Sequence, residues 1–299
     1  MQTGIADRVD VAGAEQLRLL TLNNAKDLIA AFKLDRLRWA HGALELLCWV
    51  PARRFSRQLV AFDQIVGERG LPAAGQYILD RFARRFSVAG REHVPAGGPL
   101  VVVSNHPGMA DAMALWAGLG RADIRVIAAE RPLLRALPNT SRHLIFVDED
   151  SARGRTGALR LAVAHLRRGG ALLTFPAGRI EPDPAVRPGA ADSLRSWNPS
   201  VALLARMVPE AMVLPAAAGG VISETAARNP AARVFRQQRD RDWAGATLQV
   251  LVPAYRDVHT RVAFGPPIPA AALAALDDAE QIRSALAAGM QPLLEEVAG

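Results

Sequence analysis

The sequence predicts an α/β fold: a mostly parallel central sheet flanked by helices, with an N-terminal helical segment ahead of it. Three observations carry the prediction. Leu100–Val103 form a continuous run of branched apolar residues, the character of a strand covered on both faces, as in parallel sheets. From Phe86 onward, strand-like runs alternate with helical patterns, which is how a parallel sheet with helices on its faces is built. Before that, residues 14–85 place their apolar side chains at helical spacing.

In the helical segment, Phe55, Leu59, Phe62 and Val66, then Ala74, Ile78 and Phe82, form two amphipathic stripes. Arg53, Arg54, Arg57, Arg81, Arg84 and Arg85 accompany them, and Trp39 and Trp49 mark the helical stretch in front. Such a segment packs as a layer on a core, or lies on a membrane with its arginines at the phosphates. The strand candidates are FSVAG (86–90), LVVVS (100–104), IRVIAA (124–129), HLIFVD (143–148), ALLTF (171–175), MVLPAAAG (212–219), TLQVLVPAY (247–255) and TRVAFG (260–265). Leu159, Ala162, Val163 and Leu166 mark the clearest helix between them, and residues 269–299 read as a closing helix with Asp277 and Asp278 near its start. The expected division is therefore a helical segment over 1–85, a candidate for membrane-surface contact, and an α/β domain over 86–299. A ligand site in such a sheet lies at the carboxyl ends of its strands.

A chain of 299 residues buries enough surface to need no covalent staple. Its single cysteine, Cys48, excludes a disulfide framework and a cysteine metal site. Within ALELLCWV it reads as a buried core residue in a reducing, cytoplasmic setting. Half the chain is hydrophobic, yet no apolar run reaches the roughly 20 residues of a membrane span. The first residues carry early acids and lack a signal peptide's apolar region. The expectation is a cytoplasmic protein, soluble or peripheral on the inner face of the membrane. Formal charge is +7, and Lys26 and Lys33 are the only lysines. Arginine's planar fork suits phosphate, so the balance favours nucleic acid, anionic lipid headgroups or phosphorylated small molecules without choosing among them. An arginine-rich surface also serves solubility alone.

The stretch LVVVSNHPGMAD concentrates the chemistry. A strand ends at Ser104 and Asn105, and His106 is followed five residues later by Asp111. A histidine acting as general base needs one ring nitrogen free and the other held by an acceptor. Five residues on a helix turn through about 140°, so the two meet only with His106 on the turn and Asp111 early in the helix. Asn105 or His106 is expected to cap that helix, with Pro107 at its first position. The spacing alone is weak. A second His-x4-Asp, His143 to Asp148, falls inside a strand, where residues five apart face opposite sides, and is set aside. Downstream, ALLTFPAGR runs from strand into a turn that presents Arg179, placed to grip a phosphate or carboxylate, or to pair with Glu181 or Asp183. A long irregular stretch, EPDPAVRPGAADSLRS, follows.

Together these pieces resemble the glycerolipid acyltransferase family, whose members acylate glycerol phosphate or lysophosphatidic acid. GREHVPAGGPLVVVSNHPGMAD is similar to the family's first block, FPAGR to its third, and VLPAAAGG to its fourth, over roughly residues 86–265. The resemblance implies direct acyl transfer by an enzyme of phospholipid biosynthesis, without a covalent intermediate. His106 would deprotonate an acceptor hydroxyl for attack on an acyl-CoA or acyl-carrier protein thioester, with Asp111 orienting the imidazole. No metal or cofactor is implied beyond that acyl donor. Two positions depart from the family pattern. Glu149 stands where the second block carries arginine, and Ala177 where the third carries glutamate. By the resemblance, Arg153, Arg155 or Arg179 would supply the lost charge and Glu181 the lost carboxylate. With Asn105, Pro176 and Gly178 these make up the expected substrate-binding set.

Other readings compete. The altered positions fit a non-catalytic lipid-binding homologue, and water in place of the alcohol would make a thioester or lipid hydrolase. Nucleic-acid binding rests on charge alone. With no zinc finger, glycine-rich RNA motif or aromatic-basic stripe, a lipid or phosphorylated alcohol and an anionic membrane are the expected partners, and nucleic acid is not.

Overall fold

The computed structural model describes residues 3–34, 41–108, 110–148, 151–233 and 235–299. Trp39 and Glu149, both singled out above, lie outside the described residues. In chain order the elements are α1 (Thr3–Ala31), α2 (His41–Phe82), β1 (Arg85–Ala89), β2 (Leu100–Ser104), α3 (Asp111–Leu119), β3 (Ile124–Ala129), α4 (Pro132–Arg135), α5 (Pro138–Ser141), β4 (Leu144–Val147), α6 (Ala152–Leu166), β5 (Ala171–Thr174), α7 (Ala190–Ser193), α8 (Ser200–Met207), β6 (Met212–Gly219), α9 (Glu224–Ala227), α10 (Pro230–Arg233), α11 (Gln238–Leu251), β7 (His259–Phe264), β8 (Ile268–Pro269), α12 (Ala270–Ala274) and α13 (Ala279–Ala298). They form two compact units. One comprises Met1–Glu68, Arg131–Arg142 and Ser223–Arg256, the other Arg69–Glu130, His143–Ile222 and Asp257–Gly299. The boundary at 68/69 falls within α2, beside Gly70, whose φ of 80° and ψ of 173° interrupt the helix. The first unit also takes two later segments, 131–142 and 223–256.

The first unit is helical. Leu20, Ala25 and Ile29 of α1 are buried, as are Leu59, Phe62 and Val66 of α2, so that stripe faces a core as its spacing predicts. Asn24 Nδ2 donates to Ser56 Oγ at 2.8 Å, joining the two helices through a buried polar pair. Asp63 is buried on α2 and accepts from the backbone N–H of Asn139 at 3.2 Å and of Thr140 at 2.8 Å, capping the start of α5. The run TLQVLVPAY, expected as a strand, belongs to α11 and a short 3-10 turn at Pro253–Tyr255. Its buried positions, Ala244, Gly245 and Gln249, follow helical spacing. Gln249 turns inward to accept from Ser223 N–H at 2.9 Å, so tertiary context overrides the local β preference of Leu248, Val250 and Val252. Cys48, expected in the core, is half-buried, and burial raises its thiol pKa. Leu46, Leu47 and Val50 around it are exposed, so this apolar run faces outward.

The second unit holds the sheet, ordered β1-β7-β6-β2-β5-β3-β4, with β8 paired to β6. The pairs β1/β7, β6/β2, β2/β5, β5/β3 and β3/β4 are parallel, and β6/β7 and β6/β8 are antiparallel. Every residue of β2 is buried, as its unbroken apolar run requires. On one face, Val101, Val103, Leu172 and Val213 pack with Ala162 and Leu166 of α6, Leu204 of α8, and Leu286, Met290 and Leu294 of α13. The closing helix expected over 269–299 is instead two helices, α12 and α13, broken before Asp278, which caps α13 by accepting from Gln281 N–H at 2.8 Å. After β2 the chain moves toward β3, while after β6 it moves toward β7, so the connections diverge at the β2/β6 seam, where open sheets place their ligands.

α3 lies close against the end of α2. A Cβ on Gly75 would sit 2.4 Å from the Met113 carbonyl oxygen and 3.2 Å from the Ala117 nitrogen, both backbone atoms that cannot turn aside. Gly75→Val should therefore cost about 1–3 kcal/mol by overpacking, read as a lower urea midpoint at unchanged slope.

Candidate active site

His106 leaves the carboxyl end of β2 on a bend. Pro107 does not open the following helix: α3 starts at Asp111 behind an Ala110 cap that makes no side-chain bond. The bend is held by Asp111 itself. Its Oδ2 accepts from Gly108 N–H at 2.9 Å and lies 2.7 Å from His106 Nδ1, while its Oδ1 accepts from Ala112 N–H at 2.5 Å. The ring thus turns back over the start of the helix, which the five-residue spacing permits because Pro107 and Gly108 are not helical. Asp111 is an ionic acceptor, so Nδ1 carries the proton and Nε2 is the basic nitrogen. No described residue bonds Nε2. The ring stacks on Phe175 from the end of β5, with centroids 4.5 Å apart, and remains 28% exposed.

Burial alone would push the imidazole pKa down. The Asp111 charge and hydrogen bond, with the Glu181 charge beyond, outweigh it, and the net shift is upward.

The loop after β5 completes the site, and most of it was not foreseen. Glu181 and Asp183, expected as possible surface partners for Arg179, are both buried. Glu181 Oε2 accepts from His106 N–H at 2.9 Å, and Glu181 N–H donates to the His106 carbonyl at 2.8 Å. Its Oε1 accepts from Ser193 Oγ at 2.7 Å and Trp197 Nε1 at 2.9 Å. Asp183 Oδ1 accepts from Gly220 N–H at 2.8 Å and Ala185 N–H at 3.0 Å, and Oδ2 from Val221 and Ile222 N–H at 2.8 and 3.1 Å. Burial raises its carboxyl pKa, and these four donors pull against that rise. The chain leaving β5 is so pinned to the chain leaving β2 and β6. Glu181 was expected as a substitute carboxylate for the substrate, not as a partner of the His106 backbone, and for Asp183 the sequence offered only an acid between two prolines in a loop-like stretch.

The expected substrate-binding residues divide. Asn105 is buried with both ends of its amide committed to β6: Nδ2 donates to Ala218 O at 2.9 Å and Oδ1 accepts from Ala218 N–H at 2.8 Å. It shapes the turn. Pro176 is buried, and its carbonyl accepts from Asn198 N–H and Nδ2 at 3.0 and 2.6 Å. Gly178 has φ 62° and donates to Phe175 O at 3.0 Å, a turn whose left-handed residue favours glycine. Ala177 packs against the core. Arg179 is exposed at this turn and pairs with neither Glu181 nor Asp183, because both carboxylates point inward. Arg153 and Arg155 are exposed in the first turn of α6 and make no hydrogen bond to the His106 cluster.

The span from β1 into β6, residues 85–217, matches the family model described as Acyltransferase, and it holds His106, Asp111, Phe175, Glu181, Ser193 and Trp197. Over these residues the chain is similar to that family. Among solved structures, the chain is similar to the 1-acyl-sn-glycerophosphate (LPA) acyltransferase PlsC from Thermotoga maritima. Identity is 17%, the TM-score is 0.45, and the match covers 92% of this chain and 98% of that one. No curated protein matches the sequence.

The raised His106 pKa links the site to stability. A group that binds its proton more tightly when folded stabilises the fold fully below its unfolded value, about 6.5, and loses that contribution as pH rises through the folded value. Urea unfolding between roughly pH 6 and 8 should show this decline in the native chain, and Asp111→Asn should flatten it.

Proposed function

We propose that the acyltransferase domain moves a fatty acyl group from an acyl thioester, acyl-CoA or acyl-carrier protein, to a hydroxyl of a glycerolipid or related acceptor, with His106 as general base and Asp111 as its orienting acid. The observation that carries this reading is the 2.7 Å Nδ1–Asp111 contact at the exit of a central parallel strand, which leaves Nε2 as the basic nitrogen. Nε2 takes the proton of the acceptor hydroxyl as its oxygen attacks the thioester carbonyl. The tetrahedral intermediate then expels the thiolate, which recovers the proton from the imidazolium. Asp111 stabilises that imidazolium. A thioester is already activated, so a base and alignment suffice and no serine nucleophile is required. Ser104 supports this, since its hydroxyl is buried and donates to the Asn105 carbonyl at 3.0 Å. Arg179, exposed at the FPAGR turn, is the candidate for an acceptor phosphate.

Purified protein given palmitoyl-CoA with glycerol 3-phosphate or a series of lysophospholipids should release free thiol and form acylated product. His106→Ala should lower the rate by about 10²–10⁴. Equal rates in the two proteins would remove the assignment, and thiol release without acylated product would make the protein a hydrolase. Because the base must be neutral, the rate should rise with pH through a value above about 6.5.

We further propose that the first unit meets an anionic membrane surface through α2. Leu46, Leu47 and Val50 are 76%, 73% and 72% exposed. Arg53, Arg54 and Arg57 follow each of them by seven residues, hence on the same helix face, and are exposed too. No described helix is long and apolar enough to cross a membrane. Co-sedimentation with vesicles containing phosphatidylglycerol should weaken at least about tenfold in a Leu46→Ser, Leu47→Ser, Val50→Ser variant, and also with added salt. Binding unchanged by both would exclude this face.

A further inference from the structure

We propose that Glu181 is the positioning residue of the His106 base, holding the histidine's backbone while Asp111 holds its ring. The inference rests on the general-base reading above. Two hydrogen bonds join the same pair of residues: His106 N–H to Glu181 Oε2 at 2.9 Å, and Glu181 N–H to His106 O at 2.8 Å. This closes a ring that fixes the peptide units on both sides of the histidine Cα, and with them the direction of the Cα–Cβ bond. Glu181 is in turn fixed by Ser193 and Trp197, so its position does not depend on the histidine.

The choice of a carboxylate is informative. Holding a backbone N–H needs only a neutral acceptor, and a buried negative charge is costly unless it is compensated. All three groups that donate to the Glu181 carboxylate are neutral, and no arginine or lysine among the described residues pairs with it. The Glu181 charge acts on the imidazole of His106, which becomes positive only on taking a proton. Asp183, on the same loop, makes a contrast. It is equally buried, but its four partners are backbone N–H groups and it does not touch His106, which is the pattern of a structural latch. Glu181 therefore offers the base a second negative charge, besides Asp111, in the protonation state through which acyl transfer passes.

The full-length protein, labelled at histidine ring carbons, would be titrated by NMR, with the His106 resonance assigned from the His106→Gln spectrum. In Glu181→Gln, which keeps the size and loses the charge, the His106 midpoint should fall by about 0.5 unit or more. With palmitoyl-CoA and the acceptor found above, kcat should fall about tenfold with KM within about twofold, and the acid limb of the rate profile should move the same way. A purely structural role would lower stability and leave the midpoint in place, and that result in a folded variant overturns the proposal. Should Glu181→Gln fail to fold, Glu181→Asp retains the charge at a longer reach and should lower the midpoint by a smaller amount; an unchanged or higher midpoint again overturns it. The titration needs no turnover. A protein that transfers no acyl group while its midpoint shifts as expected therefore refutes the general-base reading and not the electrostatic pairing.

Discussion

A strand buried on both faces must leave the sheet without stranding its polar groups, and this constraint organises the second unit. β2 has no exposed residue, and the chain beyond it carries Asn105 and the backbone of His106 through the same dry region. Each group there is satisfied by a different neighbour. The Asn105 amide pairs both ways with Ala218 of β6, and the His106 backbone pairs both ways with Glu181 after β5. Asp183 closes the third side by taking the N–H groups that follow β6. A buried group left unpaired costs about 1–3 kcal/mol, so three adjacent strand ends joined in this way hold their turns in one arrangement.

The proposed general-base chemistry would use the part of this region that is not closed. The His106 ring emerges from the satisfied backbone, rests against Phe175 and keeps partial exposure, while Asp111 beneath it is almost fully buried. Burial would by itself make the imidazole a weaker base. Two carboxylates reverse the sign, one at the ring and one behind the backbone. A base of raised pKa is protonated over more of the neutral range, yet it holds the proton better during transfer. Stability and activity should therefore run in opposite directions with pH at this residue.

Much of this was legible in the residues. The apolar runs of β2, β3, β4, β5 and β6, the stripe of α6 and the helical front segment follow from periodicity, which reports on burial directly. The pairing of His106 with Asp111 was legible too, although the reason differs in detail: the expected proline-led helix is a bend tied down by Asp111. TLQVLVPAY shows the limit of local pattern. Its alternation suits a strand, but it lies among helices, and the buried Gln249 finds its partner there. The apolar residues around Cys48 show the converse, since hydrophobic character alone does not say which face is covered.

The sequence by itself determined the fold class, the strand that carries the histidine, and the acid five residues away, because these depend on contacts between near neighbours and on the period of side-chain burial. Only the tertiary structure decided what Asn105, Arg179, Glu181 and Asp183 do. Asn105 meets its partner 113 residues away and Glu181 meets His106 across 75, with no period or motif to announce either. An acid in a proline-rich stretch reads as solvated until the chain is folded. Here the parallel pairing of β5 and β6 on either side of β2 brings their exits together, and two such acids are the groups that make the exit of the histidine possible.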